Sequence, residues 1–283
     1  MKLSNKLLIG LATILLVVPI CVFYIVVKAN RTDAHTYTDL LYKEATSLQV
    51  PDKYMRTVSV QPFKNVRLVG SRKTTVNLQL VKSDKFAIKA DKDKESDFVY
   101  HIDDQGNLEI DFQNRKQYSQ LSISIFSPQL GDLSVSDVHL QSITAQTDHL
   151  HINLERQQAL YFGAKTQINS LSLAVKHSGI DIGWADSETL NAIQELTLDL
   201  DSSAVRFKKQ ALQKVTLKLI DSEAAFGLEN DSLDRIDELR IYTEGKSAVY
   251  IKNTTVAQLS GSLSDQTITD LPVYHLRKLL NSK

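Results

Sequence analysis

LTLDLDSSAVRF, residues 196–207, holds the reading that decides the fold. Leu196, Leu198 and Leu200 alternate with Thr197 and Asp199, the period of a strand with one face buried and the other wet. After a polar corner the alternation resumes with Val205 and Phe207. Loosened copies flank it: LSISIF (121–126), LHINL (150–154), LSLAV (171–175), VTLKL (215–219), LRIYT (239–243) and LSGSL (259–263). With Leu150, Leu171, Leu196, Val215, Leu239 and Leu259 taken as equivalent, the intervals are 21, 25, 19, 24 and 20 residues. From LHINL onward a second apolar pair follows nine to eleven residues later: Leu160 with Phe162, Ile180 with Ile182, Val205 with Phe207, Phe226 with Leu228, and Val249 with Ile251. Ile168, Ile193, Leu212 and Ile236 supply a third contact on the way back.

A unit of two or three short strands cannot bury its apolar face alone, so it must stack on copies of itself. Winding one unit per turn sets each strand about 4.8 Å from its equivalent and encloses an apolar interior. The expected fold is all-β: a right-handed parallel β-helix, or solenoid, over residues 61–270. A lipid-carrying β-jellyroll is the architectural rival, and it would need an open apolar groove. Before the regular units, Val66, Val76, Leu78, Leu80, Phe86 and Ile88 begin the alternation. Val99 to Phe112 reads as a hairpin whose Gly106 supplies a positive φ. This part, to about residue 120, is read as opening turns and a lid.

The ends of the chain carry different signals. Leu7 to Val27 is an uncharged run between Lys2, Lys6 and Lys28, Arg31, and about 20 apolar residues span a bilayer core. Residues 1–6 are read as a cytoplasmic N-terminus, 7–27 as a transmembrane signal-anchor kinked at Pro19, and 28–60 as a juxtamembrane stem. Within the stem, Leu40, Leu41, Ala45 and Leu48 have helical spacing before Pro51. The competing reading of the span is a signal peptide cleaved near Val27, Lys28 and Ala29, and Ile20 argues against a lipobox at Cys21. At the other end, Asp270 and Pro272 are placed to start a helix with Val273, Leu276 and Leu280 on one face. Residues 271–283 are therefore read as a cap over the strand edges left open at the end of the stack.

The order FKNVRLVG (63–70), TTVNLQLV (74–81), KFAIKA (85–90), a hairpin ending GNLEIDF (106–112), and corners such as HSGIDIG (177–183) resembles the bacterial putative-adhesin family of unknown function, of the head GIN domain type. The resemblance covers roughly residues 60–270. It implies an extracytoplasmic β-helix with repeated Gly-Ser-Gly corners. This chain keeps traces of those corners at Ser178-Gly179 and Ser260-Gly261-Ser262, with Ser203-Ala204, Glu223-Ala224 and Ser247-Ala248 elsewhere.

Balanced charge, 33 basic against 33 acidic residues, gives no footprint for nucleic acid. The single cysteine, Cys21, lies in the apolar run, so disulfides play no part. No nucleophile elbow, phosphate loop or dinucleotide fingerprint occurs. His139, His149 and His151 are read as a solvated face in place of a metal site, since convergent ligands are not evident. Asp199, Asp201, Asp221, Glu223 and Glu244 fall near successive corners, where a carboxylate ladder would suit calcium or glycan hydroxyls. Lys176, Lys218 and Lys246 dilute that column, and turn preference is the plainer account. Tyr161, Trp184, Tyr242 and Tyr250 are the candidate sugar-stacking rings. The ligand-facing set is thus Asp201, Asp221, Glu223, Glu244, Trp184 and Tyr242, with no catalytic, cofactor or metal residue expected.

The expectation is a single-pass protein of the bacterial inner membrane with its large domain periplasmic. That domain would be a non-catalytic binding or scaffolding module for an envelope protein. A glycan-binding adhesin and a polysaccharide-acting enzyme are the alternatives. The enzyme would need long loops over a groove with two spaced carboxylates.

Overall fold

The computed structural model describes residues 3–30, 45–49, 54–70, 72–112, 119–184, 193–207, 212–226, 234–251 and 254–280. The chain divides into two units, Met1–Val50 and Pro51–Lys283. In the first, helix α1 runs over Leu3–Asn30 with Pro19 inside it. Its segment Gly10–Lys28 is long and apolar enough to cross a membrane, 19 residues with none of its side chains buried. At 1.5 Å per residue that segment is about 28 Å long, close to the hydrocarbon thickness of a bilayer. The helical stem expected over 36–48 falls mostly outside the described residues.

The second unit is largely β. Its strands in chain order are β1 (Met55–Ser59), β2 (Val66–Val69), β3 (Thr74–Lys82), β4 (Ala87–Asp91), β5 (Val99–Ile102), β6 (Leu108–Asp111), β7 (Ser119–Ser127), β8 (Leu133–Ser136), β9 (His139–Glu155) and β10 (Ala159–Phe162). They continue with β11 (Gln167–Lys176), β12 (Gly179–Trp184), β13 (Glu195–Asp201), β14 (Ala204–Phe207), β15 (Leu212–Ile220), β16 (Glu223–Phe226), β17 (Asp234–Glu244), β18 (Ala248–Ile251), β19 (Thr254–Ser262) and β20 (Ile268–Thr269). Helix α2 (Val273–Leu280) follows.

From β9 onward the chain alternates between two parallel ladders. One joins β9, β10, β12, β14, β16, β18 and β20. The other joins β9, β11, β13, β15, β17 and β19. The architecture is a curled, mostly parallel sheet, and this overturns the jellyroll, whose strands pair antiparallel. Strand β9 belongs to both ladders: Thr144 and Ala145 pair with β3 in the first, while Leu150 to Leu154 pair with β11 in the second.

The predicted anchors are in register. Leu150, Leu171, Leu196, Val215, Leu239 and Leu259 face one another strand by strand, and all are buried. Burying one such side chain contributes roughly 1.5–3 kcal/mol, and the row repeats that gain in every unit. In the other ladder, three of the four expected successive pairings slip by two residues, among them Phe226, which pairs with Ile251 where Val249 was expected. Leu160 pairs with Ile182, where Ile180 was expected. Val205 and Phe207 pair with Ala224 and Phe226, so Phe226 ends its pair and does not begin it; Leu228 lies outside the described residues. A slip of two keeps every side chain on its own face, so alternation cannot detect it. The true register lets Phe207 stack on Phe226, with ring centroids 5.2 Å apart and planes 6° from parallel.

The early strands are less regular. β7, which carries LSISIF, pairs with β3 and β4 and stands in the first ladder, apart from the other copies of the phrase. β1, β4 and β7 pair antiparallel, as do β5 and β6, while β2 lies parallel between β6 and β8. The β5–β6 pair is the predicted hairpin, with Gly106 at φ +82°. Inner residues of both ladders merge into one apolar core from Phe63 to Leu279.

At the far end, Leu271 and Leu279 are buried, while Leu276 packs against the core edge. Val273, expected on the buried face, is exposed. Asp270 is not the expected N-cap either: its Oδ1 accepts the Ile251 N–H at 2.7 Å. That amide lies at the end of β18, and the helix itself begins only at Val273, two residues beyond the position that Asp270 could cap.

Candidate functional site

Two corners join the ladders, and they are built differently. The chain leaves the second ladder through a residue at positive φ: Asp137, Arg156, His177, Ser202, Asp221 or Gly245. A buried polar residue follows directly after Arg156, His177, Ser202 and Asp221, and after Gly245 it follows Lys246; after Asp137 stands the buried apolar Val138. The Oγ of Ser178, Ser203, Ser222 and Ser247 accepts a backbone N–H from the corner of the preceding unit: from Gln157 at 2.9 Å, Ser178 at 3.1 Å, Ser203 at 3.0 Å and Ser222 at 3.3 Å. Each hydroxyl donates in turn to a carbonyl of its own unit, those of Lys176, Asp201, Ile220 and Glu244. Gln157 heads the column, its Oε1 accepting the Leu140 N–H at 3.1 Å. The column satisfies backbone groups that would otherwise be buried unpaired. It also corrects one corner, since Ala204 pairs with Glu223 and the equivalent dipeptide is Ser222-Glu223, not Glu223-Ala224.

These corners scatter the predicted acidic ladder. Asp201 and Glu244 share a row of the second ladder, but Ile220 stands between them, two strand spacings or about 10 Å across. Asp199 faces Lys218 in a different row. Asp221 sits at the corner, where its Oδ1 accepts the Lys246 N–H at 2.8 Å. Glu223 begins β16 in the first ladder, 4.0 Å from Arg206. The rings are divided as well: Tyr242 is exposed on the second ladder and Tyr161 on the first, lying over Gly183. Trp184 ends β12 opposite Phe162, and its side chain lies outside the described residues. Among the described residues, no group of three or more His, Cys, Asp or Glu is placed to hold a metal ion. His139 opens β9, His149 stands apart from it, and His151 Nε2 lies 3.2 Å from Asn153 Oδ1.

The opposite side, where the chain passes from the first ladder to the second, holds an open groove of about 1430 Å³. One rim is the segment Phe63–Asn65 with Lys82, Phe86 and the β7–β8 connection; the other is Gln146–His149 of β9 with Lys165–Asn169. Twelve of the eighteen described residues that line it are polar, whereas a slot for acyl chains is lined mostly by apolar side chains. Both rims are fixed from within. Lys64 N–H donates to Gly106 O at 2.8 Å, and Asn65 accepts the Asp132 N–H while donating to Asn107 Oδ1 at 2.9 Å. The β7–β8 connection crosses so closely that a Cβ on Gly131 would lie 2.1 Å from Lys64 O. Across the groove, buried Thr166 donates to Gly163 O at 2.7 Å, and Gln146 Nε2 to Lys165 O at 3.3 Å. Sequence reading missed this site. Its residues come from five separate segments of the chain, and the only local signal was that β9 runs without a corner through Gln146–His149.

No family model matches the chain, and no curated protein does. Solved structures do resemble it. A putative adhesin from Parabacteroides distasonis is 14% identical with a TM-score of 0.37, the match covering 77% of this chain and 96% of that one. A putative lipid binding protein from the same organism is 13% identical, TM-score 0.41, with the same coverage of 77% and 96%. For a putative adhesin from Bacteroides fragilis the identity is 14%, the TM-score 0.39 and the coverage again 77% and 96%. The chain is thus similar to structures described as putative adhesins, the kind of protein that the order of its strand phrases resembles.

Proposed function

We propose that this chain is a non-catalytic binding module of the bacterial envelope, held to the inner membrane by α1 with its β domain on the periplasmic side, and that the polar groove is where it takes an extended partner. The groove carries the reading: it is large, open and lined mostly by polar residues, with rims held by hydrogen bonds, beside one continuous apolar core. Its volume exceeds the several hundred Å³ of a typical small-molecule site, which suits a polymer better than a metabolite. In this reading the ladders wind as a right-handed β-helix. The strong preference of parallel crossover connections for that hand supports it.

The test is photo-cross-linking in native membranes from a benzophenone side chain placed at Gln129 or Gln167, in the groove, or at Thr216, on the outer face of β15. Adducts specific to the two groove positions are expected. Absence of any adduct, or equal yield from Thr216, would sink the proposal.

A further inference from the structure

The groove is cationic in a chain whose formal charges balance. Lys64 and Lys82 stand on one rim and Lys165 on the other, and among the described residues that line it Asp148 is the one acidic group. The rest of the polar lining is amide and hydroxyl, and several of those groups are already spent on holding the rims. What faces outward is therefore ammonium groups with amide side chains such as Gln129, Gln167 and Asn169 between them. Phe86 and Pro128, both half-buried, add a small apolar surface on the lysine-rich side. Tyr, Trp and Arg, the residues that anchor protein interfaces, are missing among the described residues of the lining. Ammonium groups attract anions, amides hydrogen-bond hydroxyls, and a half-buried ring takes the face of a sugar.

We propose that the groove binds an anionic polysaccharide strand, its carboxylate or phosphate groups met by Lys64 and Lys82 on one side and Lys165 on the other. The proposal rests on the reading of the groove as a binding site and names its ligand class. Partly solvated lysine contacts are screened by salt, so binding weakens as ionic strength rises.

The full chain in detergent micelles is to be titrated at low salt with polygalacturonate, with poly(glycerol phosphate) and with neutral dextran. Binding of at least one acidic polymer and none of dextran is expected, and the two acidic arms tell carboxylate from phosphate. Replacing Lys64, Lys82 and Lys165 together by Gln weakens the acidic polymer by about tenfold or more, a loss of roughly 1.4 kcal/mol or greater. Lys214→Gln with Lys218→Gln, on the outer face of β15, leaves binding unchanged. Circular dichroism of the triple variant keeps its β signal, because these lysines are exposed. Equal binding of dextran, indifference to the triple substitution, or no polymer binding overturns the inference. If neither polymer binds while groove-specific adducts on protein still form, the ligand class is wrong and the binding module stands. If both fail, the groove itself is not a site.

Discussion

At the corner after β15, Ser222 decides whether a unit closes. Its Oγ accepts the Ser203 N–H at 3.0 Å and donates to Ile220 O at 2.6 Å, and the residue is buried. Removing the hydroxyl leaves a buried amide without its acceptor, which costs about 1–3 kcal/mol. Ser222→Ala is therefore expected to lower the urea midpoint of the full chain in detergent by a corresponding amount; an unchanged midpoint contradicts the role given to the column. The earlier corner after β8 uses charge. Arg156 Nε and Nη2 donate to both carboxylate oxygens of Asp137, at 2.6 and 2.5 Å, and Arg156 Nη1 also donates to Glu155. The Arg156 hydrogen bond holds the Asp137 carboxyl below its ordinary value against the opposing effect of burial, with the charges of Arg156 and Arg72 adding to it. A carboxyl depressed in the folded state stabilises at pH above its unfolded value, about 3.9, and that contribution fades as pH falls through the folded value. Arg156→Met keeps a side chain at the same positive φ but removes the pair. Its melting temperature should fall below that of the parent chain at pH 7, and the difference should narrow progressively as pH falls below about 4. A gap constant with pH would show that the charge pair is not the cause.

Among the elements, β9 and α2 set the limits of the regular region. β9 bridges both ladders without a corner, and its outward stretch Gln146–His149 thereby becomes a wall of the groove. At the other limit, β19 closes the second ladder, and Gly261 at φ +132° passes so near that a Cβ there would lie 1.8 Å from Ile241 O. α2 then brings Leu276 and Leu279 onto the end of the core. Deleting residues 271–283 exposes that end and the neighbouring strand edges, which invite pairing between chains. Oligomers or aggregates of the truncated chain are expected in analytical ultracentrifugation; a sedimentation profile matching the intact chain would refute the capping role.

On the scale of the whole molecule, sequence alone determined the apolar span, the unit period and the anchor row, because each is a local pattern of hydrophobicity. An uncharged run of bilayer length and a strand with one wet face both announce themselves in neighbouring residues. Leu150, Leu171, Leu196, Val215, Leu239 and Leu259 align in the ladder as their spacing implied. The hairpin at Gly106 was legible for the same reason. Tertiary structure alone decided the register of Leu160 against Ile182, since strands that slip by two keep their faces and differ only in which neighbours they touch. It also decided that the acidic residues near the corners do not converge, because one residue of offset from Ile220 places Asp221 at the corner and three place Glu223 in the other ladder. The groove belongs to the same class. Lys64, Lys82 and Lys165 are ordinary surface lysines in the sequence and line one groove only because three distant segments of the chain come to one side of the sheet. A period fixes which residues face inward; which outward residues become neighbours depends on how the strands pair and where the connections fall.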